Sequence, residues 1–427
     1  MDEQPTLRPV MPILIGAAVM LSLSMGIRQC FGLFMQPLTK DLAISVSDYT
    51  LALSIQNLAW GFLQPVAGGL VVRLGFRRVL VGGAGLYLAG LALLASAHGM
   101  PGIFLGSGLL IGAALACTTS ATANAAASRS VPESVRSMVL GVITGAGSLG
   151  ALAAAPLGQA FITGFGWRAG VMAMFALALP MLPAAWFAGR ADRIALSPAA
   201  GTQIDDAAVS GTQIDDDAAS GTQIDDVSAM AAVRFAFGNL PFTVMAAAFF
   251  VCGLQLLFIT THLPSYLALC GLNPMLSVDA LAVIAVSNVF GSVFFGWAGG
   301  FWSKQVLLGM IYMARSLVMG CYFMLPPTPA STLLFAALMG FLWLGVLPLV
   351  AGSVAEVFGL RWQAMISGLA FMSHQLGSFV GAFGGGVLFD RFGSYDLAWR
   401  FAVGMGLTAG VIQIVCATAR PPRLATT

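Results

Sequence analysis

Long uninterrupted apolar runs recur along this chain, and they decide the medium in which it folds. A bilayer core takes about 20 apolar residues per helix. Runs of that length fall near 11–37, 48–72, 79–97, 101–127, 138–163 and 168–189, and again near 240–268, 276–301, 306–325, 330–354, 366–389 and 398–419. They lack the polar alternation of a barrel strand, so the sequence predicts an all-α membrane protein with twelve transmembrane helices. Stretches such as "GSGLLIGAALA" and "GVITGAGSLGALAAAPLG" are rich in small residues, which lets helices approach closely in lipid. Only 8% of the 427 residues are charged, against roughly 25% in a soluble domain, and the mean hydropathy is +0.90.

An even number of spans puts both termini on one side. That side holds Arg8, Arg73, Arg77, Arg78, Arg129, Arg136, Arg190, Arg193, Arg234, Lys304, Arg361, Arg420 and Arg423; the other holds Lys40, Arg168, Arg391 and Arg400. Such a bias makes the richer side, with both termini, cytoplasmic, and the expected location is a bacterial inner membrane. A net charge of +2, scattered along the chain, speaks against nucleic acid as a partner. The six cysteines have no paired metal-ligand or disulfide spacing and read as small apolar packing residues. Met1–Pro9 lacks the basic start of a cleavable signal, and none is expected.

The two groups of six runs frame a different kind of segment. Residues 201–226 read "GTQIDDAAVSGTQIDDDAASGTQIDD", a ten-residue repeat present three times that holds seven of the seventeen acids. It has too little apolar content to bury a core and reads as a repeat-expanded cytoplasmic spacer. The expected organisation is a six-helix bundle over 1–189, a flexible linker over 190–237 and a second six-helix bundle over 238–427.

The bundles look like copies of one another. "AGG" at 67–69 is followed by Arg73, and "AGG" at 298–300 by Lys304, an offset of 231. "WR" opens the sixth run at 167–168 and the twelfth at 399–400, an offset of 232. "LG" at 149–150 and 376–377 is offset by 227, which implies a small insertion in span eleven or its following loop. Parallel six-helix halves are a transporter architecture with the substrate site between them.

With this duplication, "GGLVVRLGFRR" between spans two and three resembles the major facilitator superfamily, whose loop reads G-x-x-x-D-R-x-G-R-R. Gly69, Arg73, Gly75, Arg77 and Arg78 fit that pattern, while Val72 stands where the family has Asp. The resemblance implies two pseudo-symmetric six-helix bundles and a gating role for this loop. It also implies that the latch made by the family's Asp is missing here, leaving the arginines to pin the loop on helix C-terminal carbonyls.

Polar residues inside the spans mark the candidate site. Arg28, Arg315, His262 and His374 are the basic ones; Asp48, Asp279, Glu356 and Asp390 all fall near span ends. A buried arginine costs at least ~2.5–3.5 kcal/mol to insert and needs a partner. No carboxylate is visible at matching depth, so a bound anion is the candidate partner for Arg28, whose planar fork fits a carboxylate. The competing role is a snorkel or a hold on backbone carbonyls. His374, Gln375, His262, Gln56, Asn57 and Asn124 complete the candidate substrate-binding set, with Phe31, Phe34, Trp60, Trp343 and Tyr266 as apolar walls. His262 lies three residues past 259, where an offset of 231 puts the counterpart of Arg28. Arg315 is a secondary candidate; a structural contact with span eight or ten, or a snorkel to the inner headgroups, is its favoured role.

Basic residues in spans one and eleven resemble the oxalate:formate antiporter and monocarboxylate transporter branch, in which a basic span-eleven residue helps hold substrate. The resemblance implies a secondary active transporter for a small organic anion, working as a monomer without a cofactor, with protons a candidate coupling ion. A drug or neutral-metabolite efflux transporter is the alternative, weakened because span five reads "APLG" and no membrane carboxylate is present. Three scattered histidines supply no metal cluster or nucleophile–base pair for an enzyme, and no G-x-x-x-x-G-K-[ST] loop exists for nucleotide. Deleting one repeat copy, residues 211–220, is expected to leave transport nearly unchanged, because tether length changes loop closure only weakly. Lost uptake at normal expression would instead give the Asp pairs a role.

Overall fold

Each apolar run becomes one helical span. The computed structural model describes residues 7–195, 228–273 and 275–419, and no strand occurs among them. In the first half, span one is Met11–Gln29 with Phe31–Leu42, span two Val46–Leu74 and span three Phe76–Ala95. Span four joins Met100–Ile103, Phe104–Leu110, Ile111–Thr118 and Ser120–Ser130. Span five is Glu133–Phe165, and span six Trp167–Ala178 with Met181–Ala188. In the second half, span seven is Leu240–Leu269, eight Met275–Ala298, nine Lys304–Met324, and ten Pro329–Phe341 with Val346–Phe358. Span eleven joins Gln363–Phe379, Val380–Gly384 and Gly385–Phe392, and span twelve is Asp396–Thr418.

Among the described residues, ten helices are long and apolar enough to cross a membrane by themselves, and spans two and eleven are not among them. These two carry Gln56, Asn57 and Gln64, and Gln363, His374 and Gln375. They pack against each other across the halves, so their polar faces are turned to protein rather than lipid. A methyl group at Gly68 would meet Met365 N at 2.3 Å, and one at Gly368 would meet Pro65 N at 2.7 Å. Spans five and eight make the second close seam: a methyl at Gly141 would lie 2.6 Å from Ser292 O, and one at Gly296 2.5 Å from Gly141 Cα.

The pseudo-symmetry predicted from the repeats is present in the packing. Within the halves, a methyl at Gly150 would overlap Ser22 O at 1.8 Å, and one at Gly377 would overlap Phe250 O at 1.9 Å. These matched contacts offset span seven from span one by 228, so the counterpart of Arg28 is Leu256 rather than residue 259. The insertion can also be placed. Gly166 and Gly393, again 227 apart, end spans five and eleven at φ +86° and +64°. Trp167 follows Gly166 directly, whereas Ser394–Ala398 separate Gly393 from Trp399. The extra residues therefore lie in the loop and first turn of span twelve.

The repeats at 201–226 lie outside the described residues. The far end of the segment drawn as linker is a helix, Ala229–Gly238, with Ala232 and Ala236 fully buried and the Phe235 ring 5.7 Å from Phe358. Two ion pairs lie at span ends, Lys304 with Glu356, and Arg168 with Asp41 at 2.6 Å. Trp167 Nε1 also donates to Asp41 Oδ2, at 2.9 Å.

The motif between spans two and three is held differently from the resemblance's implication. Gly75 turns the chain at φ +85°. Asp192, after span six, accepts from Phe76 N at 2.7 Å and Arg77 N at 3.0 Å. The loop is thus pinned by a carboxylate on helix N–H groups rather than by arginines on carbonyls. Gly377→Ala is expected to destabilise its half by ~1–3 kcal/mol through overpacking. Gly68→Ala is expected to leave melting nearly unchanged but to expose a cysteine placed by Ser128→Cys to polar thiol reagents. Equal melting losses for both variants would mean that the seam is no separate unit.

Candidate functional site

A kink brings Arg28 to the seam. Cys30 N bonds Ile27 O at 3.0 Å, a tight turn that leaves Gly26 O to the Cys30 thiol at 3.2 Å, and the helix restarts at Phe31. Arg28, half-buried in the last turn before the kink, donates from Nη2 to Asn57 Oδ1 of span two. Its Cζ lies 4.9 Å from the centre of the Trp60 ring. One of the five N–H donors of a guanidinium is thereby used, and Nε is buried without a partner among the described residues. Gly32, one turn on, faces open space.

Trp60 is a fixed platform. Its Nε1 donates to Gln64 Oε1 at 2.8 Å and to Thr119 Oγ1 at 2.9 Å. Thr119 is the extended residue that breaks span four, and its hydroxyl donates to Leu115 O at 2.7 Å. Gln64 is anchored in turn, with Nε2 on Ala116 O at 2.9 Å. Broken helices persist at membrane depth where side chains take up the released backbone groups.

Span eleven closes the cluster from the other half. Gln375 Nε2 donates to Asn57 O at 3.1 Å, so Asn57 receives Arg28 on its side chain and Gln375 on its backbone. His374 Nδ1 faces Gln375 Oε1 at 3.3 Å and Ser378 Oγ at 3.4 Å. The His374 ring stacks on Phe371, with centroids 5.4 Å apart, and tilts against Phe249 at 4.7 Å; Phe371 reaches Trp60 at 4.6 Å. Four of the candidates, Arg28, Asn57, His374 and Gln375, thus share one cluster with Trp60.

The other candidates lie elsewhere, two of them for the same reason. Each is spent on a carbonyl of a π-helical turn, a local irregularity within a span. Gln56 Nε2 donates to Ser107 O in the π-helix of span four, at 2.6 Å. His262 Nε2 meets Ala382 O in the π-helix of span eleven at 2.9 Å, and its Nδ1 faces Tyr395 OH at 3.3 Å. Asn124 is buried with Oδ1 unpartnered among the described residues, one turn before Ser128, which accepts from Gln363 Nε2 at 2.9 Å across the seam. Arg315 is fully buried, and among the described residues its hydrogen bonds go to span seven rather than eight or ten: Nη2 donates to Cys252 O at 3.3 Å and Gln255 Oε1 at 3.1 Å. Among the proposed walls, Tyr266 packs with Tyr322 and Phe323, while Phe31 and Phe34 are core residues.

Phe249, Phe371 and Asn288 were not among the candidates. Asn288 is the span-eight partner of Asn57 at the 231 offset, and it repeats the cross-half arrangement: its Nδ2 donates to Ser148 Oγ at 3.2 Å. Its Oδ1 accepts Leu344 N at 2.8 Å, where Asn57 accepts Arg28. The repeat register could have found it.

Comparison with known proteins agrees with this geometry. Monocarboxylate transporter 13 of Rattus norvegicus is 25% identical over 405 residues, covering 93% of this chain and 86% of the relative. The human organic anion transporter MFSD10 (TETRAN) superposes with a TM-score of 0.67 at 14% identity, covering 96% of this chain and 100% of that one. The E. coli fucose:proton symporter FucP also gives 0.67 at 14% identity, over 94% of this chain and 98% of that one. A family model described as the Major Facilitator Superfamily matches residues 17–382. Two six-helix halves meeting at a polar seam, matched by that model over most of their length, place this chain in the Major Facilitator Superfamily.

Proposed function

We propose that this chain is a secondary active transporter that moves a small organic anion, a monocarboxylate or dicarboxylate, by alternating access. The observation that carries the reading is Arg28, a cation within the bundle held by a neutral amide and a ring face, with most of its N–H donors unused. A carboxylate would take two of those donors in parallel and neutralise the charge. The aromatic group of Trp60, Phe371 and Phe249 would cover the apolar body of such an anion. The name of the rat relative and the description of the human neighbour, a monocarboxylate and an organic anion transporter, support the same class.

Gln375 and Asn57 join the halves at the site, so rearrangement of the seam would change the surroundings of Arg28 directly. His374 Nε2 makes no hydrogen bond among the described residues, which makes this imidazole the candidate proton carrier; FucP is described as a proton symporter. The arginine-rich face, packed along both seams, would be the cytoplasmic one in a bacterial inner membrane, with both termini on that side and the monomer as the working unit.

Arg28→Lys keeps the charge but loses the fork, and Arg28→Ala removes both. Losing a charge-assisted pair costs ~1.5–3 kcal/mol, roughly one to two decades of affinity. Counterflow in proteoliposomes over a panel of carboxylates, with cationic drugs as controls, is expected to show exchange of a carboxylate by wild type and weak or no exchange by both variants. Drug exchange without carboxylate exchange would support the efflux reading instead. Gln56→Leu and His262→Leu provide the contrast. Each removes a buried hydrogen bond to a π-helix carbonyl and is expected to cost ~0.5–1.5 kcal/mol of stability while anion affinity stays within about twofold. A tenfold affinity loss in either would return that residue to the site.

A further inference from the structure

We infer that the arginine-rich face carries a second anion site, distinct from the Arg28 cluster, that takes a phosphate-bearing anion and bridges the two halves. The site is a cavity of about 630 Å³. Arg77, Arg78, Arg129 and Arg193 of the first half line it together with Arg361 of the second, and Asp192 is the one carboxylate on its wall. Both Asp192 oxygens are already committed to Phe76 N and Arg77 N, so its charge is spent on the start of span three.

The four arginines of the first half are placed but not neutralised. Among the described residues, Arg77, Arg78, Arg129 and Arg193 form no ion pair. Arg77 is stacked 4.3 Å over the Trp186 ring, with a buried Nε that has no partner. Arg129 places Nε on Ile194 O at 2.9 Å, and its Nη groups make no hydrogen bond among the described residues. Five guanidinium groups around one cavity repel one another. A phosphate group, with several acceptor oxygens and up to two charges, answers planar forks on several sides at once, whereas a carboxylate satisfies fewer.

An ordinary positive-inside bias requires arginines near headgroups around the rim of the bundle. It does not require them to converge on a cavity at the seam, between the turn at Gly75 and the loop at Leu360–Arg361. Because Arg361 belongs to the second half, parting the halves on this face takes the site apart. A bound anion therefore favours the arrangement in which this face is closed, by as much as it binds that arrangement more tightly. The inference does not depend on what the Arg28 cluster carries.

Free phosphate and a phospholipid headgroup share this chemistry, and the test separates them. The full chain in neutral detergent is titrated with inorganic phosphate at constant ionic strength, with chloride as control. A second arm places it in vesicles of phosphatidylglycerol or of phosphatidylcholine. The readouts are the melting midpoint and the alkylation rate of the cysteine in a Leu360→Cys variant, followed by peptide mass spectrometry. Phosphate is expected to raise the midpoint and slow alkylation at least threefold. An effect of phosphatidylglycerol without one of free phosphate identifies the lipid as the source and also supports the site. The double variant Arg78→Gln/Arg193→Gln, checked for monodisperse elution, is expected to need about tenfold more anion. No response to either source, or an equal response in the double variant, overturns the inference.

Discussion

A cation in the bundle interior with no carboxylate beside it sets the terms for the rest of this structure. Insertion of such a group costs at least ~2.5–3.5 kcal/mol. A hydrogen bond to a charged group contributes ~1.5–3 kcal/mol, and a cation over an indole face ~0.5–2 kcal/mol. Asn57 and Trp60 together therefore offset the charge of Arg28 without neutralising it. Their placement depends on irregular backbone elsewhere. Trp60 is fixed by Thr119, and Thr119 is available because span four breaks there. The kink of span one, the break of span four and the polar face of span two are one arrangement with a single result: an oriented guanidinium with donors to spare.

Much of this was legible in the sequence, because apolar run length and charge bias follow directly from the bilayer. All twelve runs became spans. The charge of Arg28 and the absence of acids at its depth singled out the cluster that spans one, two and eleven form. The selection failed where it relied on polarity alone. Gln56 and His262 are as polar as Asn57 and His374, yet each serves a π-helix carbonyl. A π-helix has no signature in apolar periodicity; one extra residue in a Gly-rich run is enough to produce it. Phe249 and Phe371 were missed for the converse reason, since an aromatic residue in a membrane span is most often simple packing.

The duplication explains both what the register reveals and where it misleads. Asn57 and Asn288 occupy matched positions, and each bonds across the seam, to Gln375 and to Ser148. The matched residues have diverged in what they hold: Asn57 accepts a cation, Asn288 a backbone N–H. One half thus carries the charge while the other supplies a neutral copy of the same joint. His262 has no such ancestry. Its partner Tyr395 lies within the residues after Gly393 that have no counterpart after Gly166, so this contact belongs to the second half alone.

The loop between spans two and three shows how a motif can lose its most informative residue and keep its shape. Val72 stands where the family has Asp, yet a carboxylate still reaches the turn, because Asp192 arrives from the end of span six and caps the first N–H groups of span three. The positive end of a helix stabilises an anion there whichever element supplies it. The exchange changes the electrostatics all the same. A carboxylate at position 72 would stand on span two, beside span eleven and the second half, where it could pair with an arginine across the seam. Asp192 instead ties two elements of the first half to each other and leaves the arginines of both halves facing a shared cavity. The contact between the halves on that face therefore rests on the glycine-mediated packing of Gly68 on Met365 and Gly368 on Pro65 rather than on a charge built into span two.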